Sequence, residues 1–252
     1  MRFTPQIRAI PWLVTRPIAH RGLHDRRKGI VENSASAFAA AMAGGYAIEC
    51  DLQIAAGGEA VVFHDDTLDR VMEASGPVRT RTAAELRKLT FRNGNDRIQT
   101  LPELLQQVDG RVPLIMELKS HWDGDDTLVK VALDDLADYQ GPHSLMSFDP
   151  DQIEAAAVLS PDTVRGIVAD RVTNAYYRHM CISRRLELRS LSHVARTQPH
   201  FISFHTAGLP FAPVSLVRAS GFPVIAWTIR SAEAASEALR YCDQITFEGY
   251  LA

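Results

Sequence analysis

Cysteine is scarce in this chain: Cys50, Cys181 and Cys242 are scattered, with no CxxC pair. An odd, dispersed set excludes a disulfide framework and a thiolate zinc site, and it points to a reducing compartment. A dominant charge is missing as well. Lys and Arg number 27 against 30 Asp and Glu, a net −3, so no global field draws the chain to nucleic acid or to an anionic membrane. Anionic ligands have to be held locally. Residues 1–15 lack a long apolar run, carrying Arg2 and Arg8 among broken stretches too short for a secretion signal or a membrane span. The chain therefore reads as soluble and cytoplasmic, with no nucleic-acid partner and no stable membrane anchor.

What is present is a large potential core, with 46% hydrophobic residues in a chain of 252, and a single α/β barrel takes about 250 residues. Short β-branched or apolar runs alternate with Ala/Leu-rich stretches, the pattern of βα units around a parallel sheet. The runs predict strands at 17–20, 47–52, 60–64, 113–119, 143–148, 163–169, 200–205, 223–228 and 243–247. Helices are predicted at 34–43, 101–108, 127–139, 151–159, 184–196 and 232–241. The second and third strands are separated by a Gly57-Gly58 turn with no space for a helix, so they count as one long strand excursion or a hairpin and the barrel count returns to eight. The expectation is one domain over 1–252, a (β/α)₈ TIM barrel with an insertion at about 66–100 that is a candidate lid or wall.

The chemistry-bearing residues fall at strand ends, where barrel active sites gather. In Tyr46-Ala47-Ile48-Glu49-Cys50-Asp51-Leu52 the two-residue spacing aims Glu49 and Asp51 at one face. Leu114-Ile115-Met116-Glu117-Leu118-Lys119 repeats the design with Glu117 and Lys119. Three carboxylates from two strands suit a divalent cation, Mg²⁺ or Ca²⁺. His20 and His64 each end a strand, and a histidine pair can act as base and acid on either side of a reacting centre. Arg21 and Lys119 carry the fixed charge and donors that phosphate oxygens need. Phe148 and Trp227 end strands with aromatic surface that can wall a ligand pocket. A lone strand-end histidine is more often a surface or capping residue, and His24, His121, His143, His179, His193 and His200 are read that way.

The ordered series His20-Arg21-Gly22, Glu32-Asn33-Ser34, Glu49-x-Asp51, His64-Asp65 with Leu68 and Arg70, Leu101-Pro102, Glu117-x-Lys119 and Trp227-Thr228 resembles the glycerophosphodiester phosphodiesterase family. That resemblance implies a (β/α)₈ barrel that hydrolyses glycerophosphodiesters to glycerol 3-phosphate and an alcohol with a divalent metal. It implies Glu49, Asp51 and Glu117 as metal ligands, His20 and His64 as the acid/base pair, and Arg21 and Lys119 on phosphate oxygens. Asn33 matches the family's Glu-Asn motif as a residue orienting a ligand or loop, though Asn is also a good helix N-cap. A lysophospholipase D-like or other lipid phosphodiesterase, and a non-catalytic binder of phosphate esters, are the alternatives. The chain departs from the family at Ala55-Ala56-Gly57-Gly58, where a polar turn is usual and a looser hairpin is expected, and at Glu248, where Asp is common. Segment 7–14 is expected to cover a barrel face left bare near the end of the chain.

Overall fold

The computed structural model describes residues 10–252, so Ile7 lies outside the described residues. Among the described residues nine strands form: β1 (Ile18–Ala19), β2 (Ala47–Ile54), β3 (Ala60–Val62), β4 (Leu114–Leu118), β5 (His143–Ser147), β6 (Arg165–Ala169), β7 (Phe201–His205), β8 (Val224–Ile229) and β9 (Gln244–Phe247). Eight of them run parallel around a closed barrel, because β1 pairs with both β2 and β9, while β3 folds back antiparallel on β2. The (β/α)₈ expectation and the hairpin that restores the count of eight are both met.

The expected looser turn is not. Ala55 donates its N–H to Glu59 O at 2.9 Å and Gly58 donates to Ala55 O at 2.9 Å, which closes the hairpin tightly. Gly58 takes φ +87°, a left-handed conformation that costs glycine little, so backbone geometry replaces the missing polar side chains.

Around the barrel lie α2 (Ala35–Ala43), α4 (Leu101–Val108), α5 (Thr127–Leu136), α6 (Pro150–Leu159), α7 (Ile182–Ser190), α8 (Val194–Thr197), α9 (Ala212–Ala219) and α10 (Ala232–Ala238). Two short ones, α1 (Pro11–Thr15) and α3 (Ala83–Leu86), lie before the barrel and in the 66–100 segment. The helix expected over 184–196 is broken, because Leu191 adopts φ +57° and Ser192 and Val194 turn back on Glu187 and Leu191. Helix α9 has no counterpart among the expected helices. Its Pro213 sits in the first turn, where a missing N–H costs nothing.

Strand alternation sorts the core into two shells. Outward residues such as Ile48, Cys50, Leu52, Met116 and Leu118 meet the helices in the main apolar cluster. Inward residues Ile18, Ala47, Ile115, Met146, Val168, Phe201 and Ile225 fill the lower barrel together with Ile10 and Leu13. Segment 10–14 thus packs against the floor of the barrel, with Gln244 Nε2 donating to Val14 O at 2.8 Å. A packed floor leaves only the upper, C-terminal end of the barrel for polar chemistry.

Residues 66–100 wrap a small apolar cluster of Leu68, Met72, Val78, Leu86, Phe91 and Ile98 against Val61 and Phe63. A capping box between Thr82 and Glu85 starts α3 within it.

Candidate functional site

The inward register of β2 and β4 sets Asp51 beside Glu117, with Glu49 one pleat below. One carboxylate oxygen from each of Glu49, Asp51 and Glu117 lies within 4.8 Å of the others, and all three residues are buried. Lys119 Nζ lies 2.8 Å from Asp51 Oδ1 and 2.5 Å from Glu117 Oε1. Asn33 fixes Asp51 from the other side: its Nδ2 donates to Asp51 Oδ2 at 2.7 Å and its Oδ1 accepts the Asp51 N–H at 3.2 Å. The N-cap of α2 is Ser34, not Asn33.

Arg21 stands at the edge of this group in a left-handed conformation, φ +55°, followed by Gly22 at φ +76°. A Cβ on Gly22 would meet Ala37 C and Cβ at 2.8 Å, so only glycine lets this loop lie on α2. That bend turns the Arg21 N–H onto Glu49 Oε2 at 2.9 Å. The guanidinium donates through Nη1 to Glu32 Oε1 at 2.6 Å, while Nε sits 3.3 Å from Asp51 Oδ2 without hydrogen-bond alignment. Arg21 and Lys119, expected on phosphate oxygens, thus face carboxylates here.

The electrostatics follow from burial and count. Burial, then repulsion from Asp51 and Glu117, pushes Glu49 well above the usual carboxylate range. Burial also opposes charge on Asp51, but Lys119, His64 and Arg21 hold it ionised, well below its ordinary value. The cluster is short of positive charge at Glu49.

Both histidines lie at this group, and each is backed by an acid. His20 Nδ1 is 2.6 Å from Glu248 Oε2, and His64 Nδ1 is 2.7 Å from Asp65 Oδ1. Glu248 and Asp65 are both held far below the ordinary carboxylate range: Glu248 chiefly by hydrogen bonds from His20 and His24, Asp65 by His64 and Arg70 against the cost of burial. Ionised carboxylates only accept, so Nδ1 carries the proton in both rings and Nε2 is the free nitrogen. His20 Nε2 lies 4.0 Å from Glu49 Oε2. Burial pushes the His20 imidazole below its ordinary value, against the pull of Glu248.

A second tier of charge buttresses the first. Arg70 donates to Asp65 and Glu32 at 2.6 Å, and Arg70 with Arg21 holds Glu32 down to about 2 although burial opposes its charge. The 66–100 segment therefore reaches the site through Arg70. Arg230 pairs with Glu248 at 2.7 Å. Phe148 and Trp227 stand edge-to-face, ring centroids 5.5 Å apart, over the same cavity. His205 was not among the residues singled out, yet it ends β7 as His20 and His64 end their runs, and it packs on Trp227 at 4.8 Å. The strand-end rule applied uniformly finds it. Among the six histidines read as surface or capping residues, two differ: His24 Nε2 lies 3.7 Å from Glu248 Oε2 beside His20, and His193 is buried, with no hydrogen-bond partner on either ring nitrogen.

The donor set fits a hard divalent cation. It offers oxygens only, three buried carboxylates, and a Glu49 whose charge lacks a full counterpart, while Asn33 donates to Asp51 from behind.

Residues 20–247 match the sequence model of the glycerophosphoryl diester phosphodiesterase family. A glycerophosphodiester phosphodiesterase of Caldanaerobacter subterraneus subsp. tengcongensis is 36% identical over 111 residues, 41% of this chain and 44% of that protein. Glycerophosphodiester phosphodiesterase 1 of Bos taurus is 33% identical over 129 residues, 46% of this chain and 38% of that protein. The chain thus aligns with less than half the length of these curated relatives. Among solved structures, an Oleispira antarctica phosphodiesterase in complex with the product sn-glycerol-3-phosphate superposes with TM-score 0.79 at 22% identity, over 95% of this chain and 94% of that one. A Thermotoga maritima glycerophosphodiester phosphodiesterase gives TM-score 0.71 at 22% identity, over 91% and 92%. At that identity the likeness carries the fold.

Proposed function

This chain belongs to the glycerophosphoryl diester phosphodiesterase family, and from that premise we propose that it hydrolyses glycerophosphodiesters to sn-glycerol 3-phosphate and an alcohol, with a divalent metal and a two-histidine acid/base pair. One observation carries the reading: two imidazoles, each with Nδ1 tied to an ionised acid, flank one buried group of three carboxylates at the open end of the barrel. Binding alone calls for no such pair, which speaks against a non-catalytic barrel.

Glu49, Asp51 and Glu117 are the residues that would hold Mg²⁺ or Ca²⁺, which when bound supplies positive charge to the phosphoryl oxygens. One imidazole, through Nε2, takes the proton of the attacking hydroxyl as its oxygen bonds to phosphorus. That hydroxyl belongs to water, or to the substrate's own glycerol, in which case a cyclic phosphate forms and water opens it in a second turn. The other imidazole, protonated at the start, gives its proton to the alcohol oxygen as the P–O bond breaks. In the cyclic route the rings exchange roles in the second turn, the now neutral ring taking water's proton and the now protonated ring giving its own to the glycerol oxygen as the cyclic phosphate opens. In the direct route the first ring's proton leaves to solvent while solvent reprotonates the second, so protons balance over the cycle. Arg21 and Lys119, at the rim of the cluster, are the cations available to phosphate oxygens. Phe148 and Trp227 wall the substrate cavity. Three unpaired thiols support a reducing, cytoplasmic setting.

The test is turnover of His20→Ala and His64→Ala, each expected to fall by about 10² to 10⁴-fold. Near-normal rates in either would remove that histidine from the chemistry. Faster turnover of lysophospholipids than of glycerophosphodiesters would move the substrate class to lipid phosphodiesters.

A further inference from the structure

A second group of metal-binding atoms stands behind His20. Strands β1 and β9 pair with Ala19 opposite Phe247, and His20 donates its N–H to Phe247 O at 2.9 Å. The next residues out, His20 and Glu248, therefore leave the sheet side by side. Beyond them the chain turns at Gly22, φ +76°, and is pinned by hydrogen bonds exchanged between Asp25 and Ile30 at 3.0 and 3.1 Å. That turn brings His24 back to the same carboxylate: His20 Nδ1 lies 2.6 Å and His24 Nε2 3.7 Å from Glu248 Oε2. One donor atom from each of the three residues falls within 4.8 Å of the others.

This donor set differs in kind from the carboxylate cluster. Glu49, Asp51 and Glu117 offer oxygens alone, which suit a hard cation, whereas two imidazole nitrogens and one carboxylate are the donors of an open zinc site. Ligands of a tetrahedral Zn²⁺ stand about 3.3 Å apart, given metal–ligand bonds of about 2.0–2.2 Å. To reach that spacing the 2.6 Å contact opens and the 3.7 Å contact closes, each by less than about 1 Å.

The ion also has a way in. His24 and Glu248 line a cavity of about 590 Å³, distinct from the substrate cavity that His20 lines, with room for a water as fourth ligand. The cations in that wall, Arg26, Arg27 and Lys28, are exposed, and Lys28 pairs with Asp25, so solvent screens their repulsion of a metal ion. Arg230 engages the other oxygen of Glu248, Oε1, and is itself 65% exposed.

We propose that His20, His24 and Glu248 form a second, inhibitory metal site that takes a borderline transition-metal ion, Zn²⁺ above all. When Zn²⁺ bonds to His20 Nδ1, the ring's one proton passes to Nε2, the nitrogen that the acid/base pair uses. Such a ring can no longer accept a proton there, nor is it an imidazolium with one to give. The binding stands on the donor atoms alone; its effect on rate rests on the phosphodiesterase reading.

The experiment titrates Zn²⁺ calorimetrically into protein saturated in turn with Mg²⁺ and with Ca²⁺, and follows glycerol 3-phosphate release from glycerophosphodiesters in parallel. Wild type is expected to bind one Zn²⁺ that His24→Ala binds at least about 10- to 100-fold more weakly, since loss of an orienting partner alone has that effect. Release should fall by about 10²-fold or more as the site fills. The Zn²⁺ concentration that halves the rate should rise in His24→Ala and stay put as the activating cation is raised. Inhibition that the activating cation relieves, equal in wild type and His24→Ala, would put zinc on the carboxylate cluster and overturn the proposal. So would a saturated wild-type protein that binds no Zn²⁺. Zinc bound as expected by a protein that releases no glycerol 3-phosphate with either cation would overturn the phosphodiesterase reading and leave the site standing. His24→Gln replaces His24→Ala where the latter does not fold.

Discussion

Replacing Glu248 by Gln isolates the contribution of the acid behind His20. The side chain keeps its size, but the 2.6 Å contact to His20 Nδ1 loses its charge. Hydrogen bonds to charged groups contribute about 1.5–3 kcal/mol. If that contact orients the ring and stabilises the imidazolium formed during turnover, kcat/KM falls by about 10- to 150-fold. The exposed Arg230 also loses its partner, a small effect because a surface ion pair contributes little. The pH profile gives a second readout. Burial holds His20 below its ordinary value and Glu248 opposes that shift, so removing the charge moves whichever limb His20 governs to lower pH. Glu248→Asp, which keeps the charge, restores part of the rate. The assay is steady-state release of glycerol 3-phosphate across pH, with thermal melts to verify folding. A folded Glu248→Gln protein within twofold of wild type, with an unmoved profile, would refute the reasoning.

Asn33→Ala removes both hydrogen bonds to Asp51. It should weaken metal binding by about 10- to 100-fold, measured by titration calorimetry, as loss of an orienting partner does elsewhere. His193 is buried without partners, and burial drives its pKa from 6.5 down to about 4. The unfolded chain then takes up a proton below pH 6.5 that the folded one refuses until about pH 4, so stability falls with pH across that window and levels off beneath it. Between pH 7 and pH 5 the wild type should lose about 2 kcal/mol more than His193→Phe in denaturant titrations, and equal losses would contradict the assignment.

Much of this was legible in the chain, and the exceptions have physical causes. All nine strands lie within a few residues of where apolar runs put them, because buried parallel strands are continuous apolar segments. The carboxylates of Glu49 and Asp51 were legible from two-residue spacing alone, since strand geometry allows no other placement for that face. Helix α9 was hidden because Pro213 masks its start, and the break at Leu191 because a left-handed leucine leaves no compositional mark. The links from Arg70 to Glu32 and from Glu248 to His20 join residues far apart in sequence, and no local periodicity encodes such pairs. The contact between Trp122 and Tyr176 was invisible for the same reason: Trp122 sits on a loop and Tyr176 in one short 3₁₀ turn, where aromatic side chains carry no spacing signal.

On the proposed function, the carboxylate cluster and its paired histidines hydrolyse glycerophosphodiesters with a divalent cation. Its most direct test is release of glycerol 3-phosphate from glycerophosphocholine and glycerophosphoethanolamine by the intact protein, after treatment with EDTA and after return of Mg²⁺ or Ca²⁺. Release that chelation abolishes and one of the two cations restores is the expected result. Release undiminished by EDTA, or none from either diester with either cation, would contradict it.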